Sequence, residues 1–230
     1  MKNKVYYHFL SSNNAFIDLE KGAIKVSLIN DLNDPFELKP YLRYGYSVRA
    51  QFNKVRRRVS KKFGLLCFSG KEHELLLWGH YADKHSGIAL GFQLNKSPEE
   101  IIEVEYCSKR IKYELTNNTS LDEINFLNLI GKRKYKNWEY ENEYRVWVNL
   151  KECIRINGKY FVKFDNEFIL KEILLGCRHD KSNYKYIVDL AHKYNSKVIP
   201  LREEWGGYKM LPDGRKKRKI KELQKAITKK

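Results

Sequence analysis

Long apolar segments are absent from this 230-residue sequence. No apolar run approaches the ~20 residues that a transmembrane helix needs. The first residues, MKNKVYYHFLSSNN, contain no long apolar stretch of the kind found in signal peptides. We therefore expect a cytoplasmic protein without a membrane partner.

Paired cysteines and the common catalytic motifs are absent as well. The four cysteines are far apart, form no CxxC pair and have no histidine at metal-ligand spacing, which argues against structural zinc and a disulfide framework. No Walker loop, GxGxxG, HExxH or GxSxG motif is present. We therefore expect any chemistry of this chain to proceed without a metal ion.

Positive charge is abundant and is concentrated in two segments. The formal net charge is +17, from 45 Lys and Arg against 28 Asp and Glu. Residues 39–62 contain nine basic residues and no acidic one, and residues 213–230 contain nine basic and two acidic residues. Such blocks predict a phosphate-binding surface, because each neutralised phosphate releases condensed counterions. A solvated lysine-rich surface is the alternative.

The basic blocks yield a set of predicted nucleic-acid contacts. They are Arg43, Arg49, Arg56, Arg57, Arg58, Lys61, Lys62, Arg215, Lys216, Lys217 and Arg218. Tyr41, Tyr44 and Tyr46 lie among the first of these and are interpreted either as a stacking platform for bases or as core residues.

The apolar share of 42% is enough for a sizeable core. Helical and strand patterns alternate without a regular βα repeat, which favours an α+β fold with mixed strands and flanking helices. Ser11 or Ser12 should cap a helix that stops at Gly22, residues 23–29 should form a strand, and residues 73–87 should form a helix ended by Gly87. The first basic block should be helical, because Val48, Phe52, Val55 and Val59 recur at helical spacing. We expect one catalytic domain over residues 1–212 and a basic helix or tail over residues 213–230.

In the segment WEYENEYRVW, three charged residues, Glu141, Glu143 and Arg145, follow one another at period two as the chain enters an apolar strand. Because strand side chains alternate between faces, all three should project to one face of a strand. One interpretation is a functional site. The other is an ion-pair ladder on an edge strand, in which Arg145 offsets both carboxylates.

Several segments together resemble a known group of proteins. YYHF, NDPFE, CFS followed by WGHYADKHSGIALGF, and WEYENEYRVW are similar to blocks of an uncharacterised prokaryotic family of unknown function, over roughly residues 5 to 180. The order of a strand His, a helix Tyr and a Glu at the start of a later strand also resembles the His-Tyr-Glu arrangement of the ADP-ribosyltransferase superfamily.

The second resemblance implies a mainly antiparallel split sheet and a set of roles. His8 would bind the ribose hydroxyls of NAD, Tyr81 would stack on nicotinamide, Glu143 would be the catalytic carboxylate and Glu141 would address the acceptor. The cofactor site would also include Tyr7, His80 and, facing the pyrophosphate, Arg145, with Arg43 and Arg49 as further candidates for that role.

The predicted function combines this resemblance with the charge. We expect an NAD-dependent ADP-ribosyltransferase that modifies single-stranded nucleic acid, RNA before DNA, and that resembles phage-defence toxins held silent by an antitoxin partner. Two alternatives stay open. One is a non-catalytic nucleic-acid-binding module, and the other is a metal-independent nuclease that uses His80 and His85.

Overall fold

The computed structural model describes residues 4–228 except 33, 35, 37, 40, 43–45 and 113–122, and describes only the backbone of 41, 42, 47, 48, 111, 112 and 228. The chain forms two compact units. The first contains Met1–Ile24, Phe68–Asn95 and Lys163–Lys230, and the second contains Lys25–Cys67 and Lys96–Val162. Within the described residues, no helix is long and apolar enough to cross a membrane.

The helices are α1 (Ser12–Lys21), α2 (Tyr46–Val59), α3 (Leu75–His80), α4 (Glu123–Gly131), α5 (Tyr184–Lys193) and α6 (Gly214–Thr228), with 3-10 helices at Lys136–Glu141 and Lys181–Asn183. The strands are β1 (Val5–Leu10), β2 (Ala23–Lys25), β3 (Ser27–Leu28), β4 (Tyr41–Leu42), β5 (Phe63–Ser69), β6 (Ile88–Leu94), β7 (Ile102–Glu103), β8 (Glu105–Cys107), β9 (Ile111–Lys112), β10 (Arg133–Tyr135), β11 (Glu143–Asn149), β12 (Ile154–Ile156), β13 (Lys159–Lys163), β14 (Phe168–Leu175), β15 (Lys197–Glu203) and β16 (Met210–Pro212).

The first unit is built on a sheet with the order β16-β15-β14-β6-β1, to which the end of β5 adds through the pair Tyr7 and Ser69. β14 and β15 are parallel, and the other neighbours are antiparallel. Helix α1 begins after Ser11, whose side chain accepts from the Asn14 N–H, and it ends at Gly22 with φ 61°. Both ends agree with the predicted cap and stop.

The second unit pairs β3 with the first part of β5, and β11 lies between β5 and β7. Its core is formed largely by α2 and α4. Phe52, Val55 and Val59 of α2 are buried in one cluster with Phe126 and Ile130 of α4. The apolar spacing in the basic segment thus produced the predicted helix, and the predicted α+β class, with mainly antiparallel pairing and flanking helices, is confirmed.

Two predicted elements are wrong in extent. The expected single strand over residues 23–29 is divided into β2 and β3, because β2 pairs with β13 whereas β3 pairs with β5. The helix expected over residues 73–87 ends at His80. Asp83, Lys84 and His85 then take positive φ angles of 52°, 53° and 71°, which no right-handed helix contains.

Candidate functional site

The second unit contains a buried group of four charged side chains at the start of β11. Glu143 and Arg145 lie on β11, Lys134 lies on β10, and Glu141 is the last residue of a 3-10 helix. Glu141, Glu143 and Arg145 are 5%, 6% and 1% exposed. Charges buried this deeply require partners, since desolvation of an isolated ion costs several kcal/mol.

The distances show how these partners are arranged. Arg145 holds Glu143 in a two-point contact, with Nε donating to Oε1 at 2.7 Å and Nη2 donating to Oε2 at 2.9 Å. Lys134 Nζ donates to Glu141 Oε2 at 2.5 Å and to Glu143 Oε2 at 3.1 Å. We call Lys134, Glu141, Glu143 and Arg145 the ion network.

The ion network differs from the pattern expected from period two. Glu141 does not belong to the strand, because Asn142 has a left-handed φ of 43° between the 3-10 helix and β11. β11 also has a neighbour on each side, so it is not an edge strand. Lys134 joins the two carboxylates. The sequence contained one signal for such a residue, namely that one Arg does not balance two glutamates.

The surroundings fix Glu143 as an anion. Burial opposes its ionisation, but the charges of Arg145 and Lys134 outweigh burial and lower the pKa of Glu143 to about 2. Its main-chain N–H donates to the Tyr106 hydroxyl oxygen at 2.8 Å, and burial raises the pKa of Tyr106. Arg145 is held in turn by Gly131 O, 3.0 Å from Nη1. Glu143 therefore carries a full charge at neutral pH in a fixed orientation.

A pocket of about 470 Å³ lies beside the ion network, a volume within the ~300–1,000 Å³ of small-molecule sites. It is lined by Asp34, Phe36, Lys39, Cys107, Ser108, Lys109, Arg110, Arg133, Lys134, Tyr135 and Trp138. Five of these residues are basic, one is acidic and three are aromatic. Lys134 Nζ lies 5.0 Å from the Trp138 ring centroid, and the Arg110 guanidinium carbon lies 5.6 Å from that of Phe36. The lining suits an anionic ligand with flat rings.

Lys134 belongs to both features. It lines the pocket, and its ammonium group holds Glu141 and Glu143. An anion that enters the pocket would therefore compete with these two carboxylates for the same cation. The sequence did not identify Lys134 or the other lining residues, because they come from segments far apart in the chain.

The other predicted cofactor residues lie in the first unit. His8 is half-buried on β1, and its ring centroid is 5.9 Å from that of Phe68. The Tyr7 hydroxyl donates to Glu172 Oε1 at 2.5 Å, and burial, followed by this carboxylate, raises the pKa of Tyr7. His80 ends α3 and Tyr81 is its C-cap, with ring centroids 6.3 Å apart. His80 and Tyr81 are consecutive in the chain, so this proximity follows from the sequence alone.

The left-handed turn at Asp83, Lys84 and His85 is a strained segment of the first unit, with three successive residues at positive φ. A left-handed conformation costs a non-glycine residue about 1–2 kcal/mol. The turn is held by backbone bonds, because the His85 N–H donates to Trp78 O and the Arg178 N–H donates to His85 O, both at 3.0 Å. Strain of this kind is often maintained at functional sites.

The predicted nucleic-acid contacts fall into two groups. Most are exposed, namely Arg49, Arg57, Arg58, Lys61, Lys62, Arg215, Lys217 and Arg218. Arg56 and Lys216 are partly buried and make internal contacts. Arg56 Nη2 donates to Ile29 O at 3.2 Å, and Lys216 Nζ donates to Cys177 O at 3.0 Å and Leu201 O at 3.2 Å.

Two of the exposed residues, Arg58 and Lys62, are already paired with a protein carboxylate, that of Glu123. Arg43, Tyr44 and the Tyr41 side chain lie outside the described residues, whereas Tyr46 is exposed. Among the described residues, no group of three or more His, Cys, Asp or Glu is placed to hold a metal ion. A reaction without metal stays a prediction.

One segment of the sequence is similar to a known protein family. Residues 77–146 match a family model described as "Protein of unknown function (DUF2971)". Similarity to an uncharacterised family is thereby confirmed, over a shorter segment than residues 5 to 180. The match includes the left-handed turn and the whole ion network, whereas YYHF and NDPFE lie outside it. No curated protein and no solved structure matches the chain.

Proposed function

We propose that this chain is a transferase that takes ADP-ribose from NAD and attaches it to a nucleic acid. The observation that supports the proposal is the pocket of the second unit, in which Lys134 lines the wall and also holds Glu141 and Glu143. A cationic, aromatic pocket next to fixed carboxylates combines the two requirements of this chemistry, a nucleotide site and a negative charge.

The residues present fit the donor. The pyrophosphate of NAD requires cations, and Lys109, Arg110 and Arg133 line the pocket. The two bases require flat apolar faces, for which Trp138 and Phe36 are available. The roles of His8, Tyr7, His80 and Tyr81, which lie in the first unit, stay predictions.

The bonds and charges of the proposed reaction balance as follows. The bond between C1′ of the ribose and the nicotinamide nitrogen breaks, and nicotinamide leaves with the bonding pair as a neutral molecule. A nitrogen of the acceptor base forms the new bond to C1′ and releases its proton. Positive charge accumulates on C1′ in the transition state, so a nearby carboxylate stabilises the transition state more than the ground state. Glu143, ionised at neutral pH, would supply that charge.

Lys134 would couple binding to this step. In the ion network, each oxygen of Glu143 accepts a hydrogen bond from Arg145, and Oε2 also accepts from Lys134. A pyrophosphate in the pocket would attract the Lys134 ammonium and weaken its contacts with Glu141 and Glu143. Arg145 would keep Glu143 oriented. Glu141, released from Lys134, would become available to the acceptor, which is the role that the resemblance implies for it.

The acceptor is proposed from the charge. Exposed Arg49 and Arg57 on α2 and Arg215 and Arg218 on α6 suit a phosphate backbone. Single-stranded RNA, then DNA, offers unpaired bases as nucleophiles. A role as a phage-defence toxin with an antitoxin partner follows only from the resemblance, and a cytoplasmic location follows only from the sequence; both stay predictions.

A second candidate function has an observation of its own. Because both oxygens of Glu143 already accept from buried cations, the ion network would also serve as a purely structural support for a non-catalytic nucleic-acid-binding module. The two functions differ in one respect: only the transferase consumes NAD.

The test uses labelled NAD with single-stranded RNA or DNA and three proteins, wild type, Glu143→Gln and Glu139→Gln. Glu139 is an exposed glutamate of the neighbouring 3-10 helix and serves as the matched control. We expect label on nucleic acid with wild type and Glu139→Gln, and a loss of at least 100-fold with Glu143→Gln. Retarded but unlabelled nucleic acid would favour the binding module, and shortened strands would favour a nuclease.

A further inference from the structure

The hairpin between β15 and β16 presents two aromatic side chains to solvent. Trp205 and Tyr208 are 91% and 90% exposed. They lie in the turn EWGGYK, which is closed by the Glu204 N–H donating to Lys209 O at 2.9 Å. Large aromatic side chains stabilise a protein or a complex most when they are buried. Two of them exposed within six residues therefore indicate a ligand-binding surface.

The hairpin is a fixed support for these rings. Its strands pair in register from Leu201 with Pro212 to Glu203 with Met210, and both Leu201 and Met210 are buried. The positions of Trp205 and Tyr208 are therefore set by anchored backbone on both sides.

Trp205 also lines a concave surface of about 880 Å³ with the start of α6. Arg215 and Arg218, three positions apart on one face of α6, line the same surface. The other charged lining residues are Arg202, Lys216, Glu203, Glu204 and Asp213. Asp213 Oδ1 accepts the N–H groups of Arg215 at 2.9 Å and Lys216 at 3.0 Å. The carboxylate of Asp213 thus serves as the N-cap of α6.

The N-terminal end of α6 carries positive charge, which destabilises a helix at that end. Residues 215–218 are all basic, and they lie at the N-terminal end, where the helix dipole is positive and cations are disfavoured by about 0.3–1 kcal/mol each. Over Gly214–Thr228 there are seven basic residues and one acidic residue. A polyanionic ligand would offset this repulsion.

We propose that the β15–β16 hairpin and α6 form a binding surface for single-stranded nucleic acid, with unpaired bases stacked on Trp205 and Tyr208 and phosphates bound by Arg215 and Arg218. The choice of a nucleic acid rests on the proposed function, but the surface requires no NAD chemistry. Exposed flat rings beside arginines suit bases with free faces, whereas in a duplex those faces are already stacked. A membrane is a poorer fit, because Ile220 of α6 is buried in the protein.

Binding of the full chain to a fluorescein-labelled 12-nucleotide oligo(U), without NAD, tests this surface by fluorescence anisotropy. Trp205→Ala should weaken binding roughly 5- to 150-fold per stacked base, while Trp205→Phe, which keeps a flat ring, should retain most of the affinity. The double variant Arg215→Gln/Arg218→Gln should reduce the slope of log K against log salt by about 1.4, whereas Trp205→Ala should leave that slope unchanged.

Three results would overturn the proposed binding surface or the assignment of bases to its aromatic rings. Equal affinity of wild type and Trp205→Ala would overturn the stacking surface, even if binding remained salt-dependent. Equal binding of poly-glutamate and oligo(U) would also overturn it, in favour of an acidic protein partner, and a preference for duplex over single strand would overturn the assignment of bases to Trp205 and Tyr208. If binding follows the expected pattern and no ADP-ribose is transferred, the surface stands and the proposed enzymatic function falls.

Discussion

Replacement of Lys134 by methionine tests the ion network directly. The substitution keeps most of the side-chain volume and removes the cation that contacts Glu141 at 2.5 Å and Glu143 at 3.1 Å. Removing one partner from a buried ion pair costs about 3–5 kcal/mol, since the remaining charge stays uncompensated. We expect the lower end, about 3 kcal/mol, because Lys134 also borders the pocket.

The expected change is large enough to measure by thermal or urea denaturation at pH 7. For a chain of this length, 1 kcal/mol shifts Tm by roughly 2–4 °C, so Lys134→Met should lower Tm by about 6–12 °C. Lys132→Met is the matched control. Lys132 pairs with Glu105 at 2.9 Å, but both side chains are about half exposed, so its loss should cost less than about 1 kcal/mol.

The pH dependence gives an independent test of the cause. The pKa of Glu143 is lowered in the folded protein, so its contribution to stability is present above the unfolded value of about 4.3 and is lost as pH falls towards about 2. Lys134→Met removes part of this contribution. The difference in unfolding free energy between wild type and variant should therefore be widest at pH 7 and should narrow below about pH 4.3.

A second substitution isolates the electrostatic part of the effect. In Lys134→Met/Glu141→Gln the single cation Arg145 faces the single carboxylate of Glu143, so the double variant should recover about 1–2 kcal/mol relative to Lys134→Met. Two results would refute the reasoning. One is a Lys134→Met protein within about 0.5 kcal/mol of wild type at pH 7, and the other is a deficit that does not change between pH 7 and pH 3.

Two further predictions concern the first unit. Gly176→Ala should lower Tm strongly, because its Cβ would lie 2.1 Å from His85 O, whereas Gly206→Ala, with nothing within 4 Å, should change Tm little; equal shifts in thermal melts would contradict this. Burial lowers the pKa of His179, so the neutral form stabilises the fold and stability should fall as pH drops below about 6.5. Urea titrations of His179→Gln between pH 7 and 5 should show a weaker decline than wild type.

Prediction from sequence succeeded where neighbours along the chain decide the structure. Ser11 and Gly22 bound α1 as expected because a cap and a left-handed stop depend on a few adjacent residues. The helix over the first basic block follows from apolar spacing that ends in Val55 and Val59. The concentration of charge in two blocks is a property of the sequence itself.

Prediction failed where distant segments compete with local preference. The pattern after Trp78 favours continued helix, but the chain leaves the helix at His80 and contacts the segment that follows β14, where the Arg178 N–H donates to His85 O. The internal contacts of Lys216 also depend on distant segments, because its ammonium group donates to Cys177 O and Leu201 O, whereas its role as a nucleic-acid contact stays a prediction. Neither outcome is encoded within a short window of residues.

The sequence by itself determined the α+β class, the two ends of α1, the two basic blocks and the period-two spacing of Glu141, Glu143 and Arg145 in WEYENEYRVW. Only the tertiary structure decided that Lys134 balances Glu141 and Glu143, and that a cationic, aromatic pocket lies beside them. The physical reason is desolvation. A buried carboxylate without a cationic partner costs several kcal/mol of stability. Its partner is whichever cation the packed strands bring within hydrogen-bonding distance.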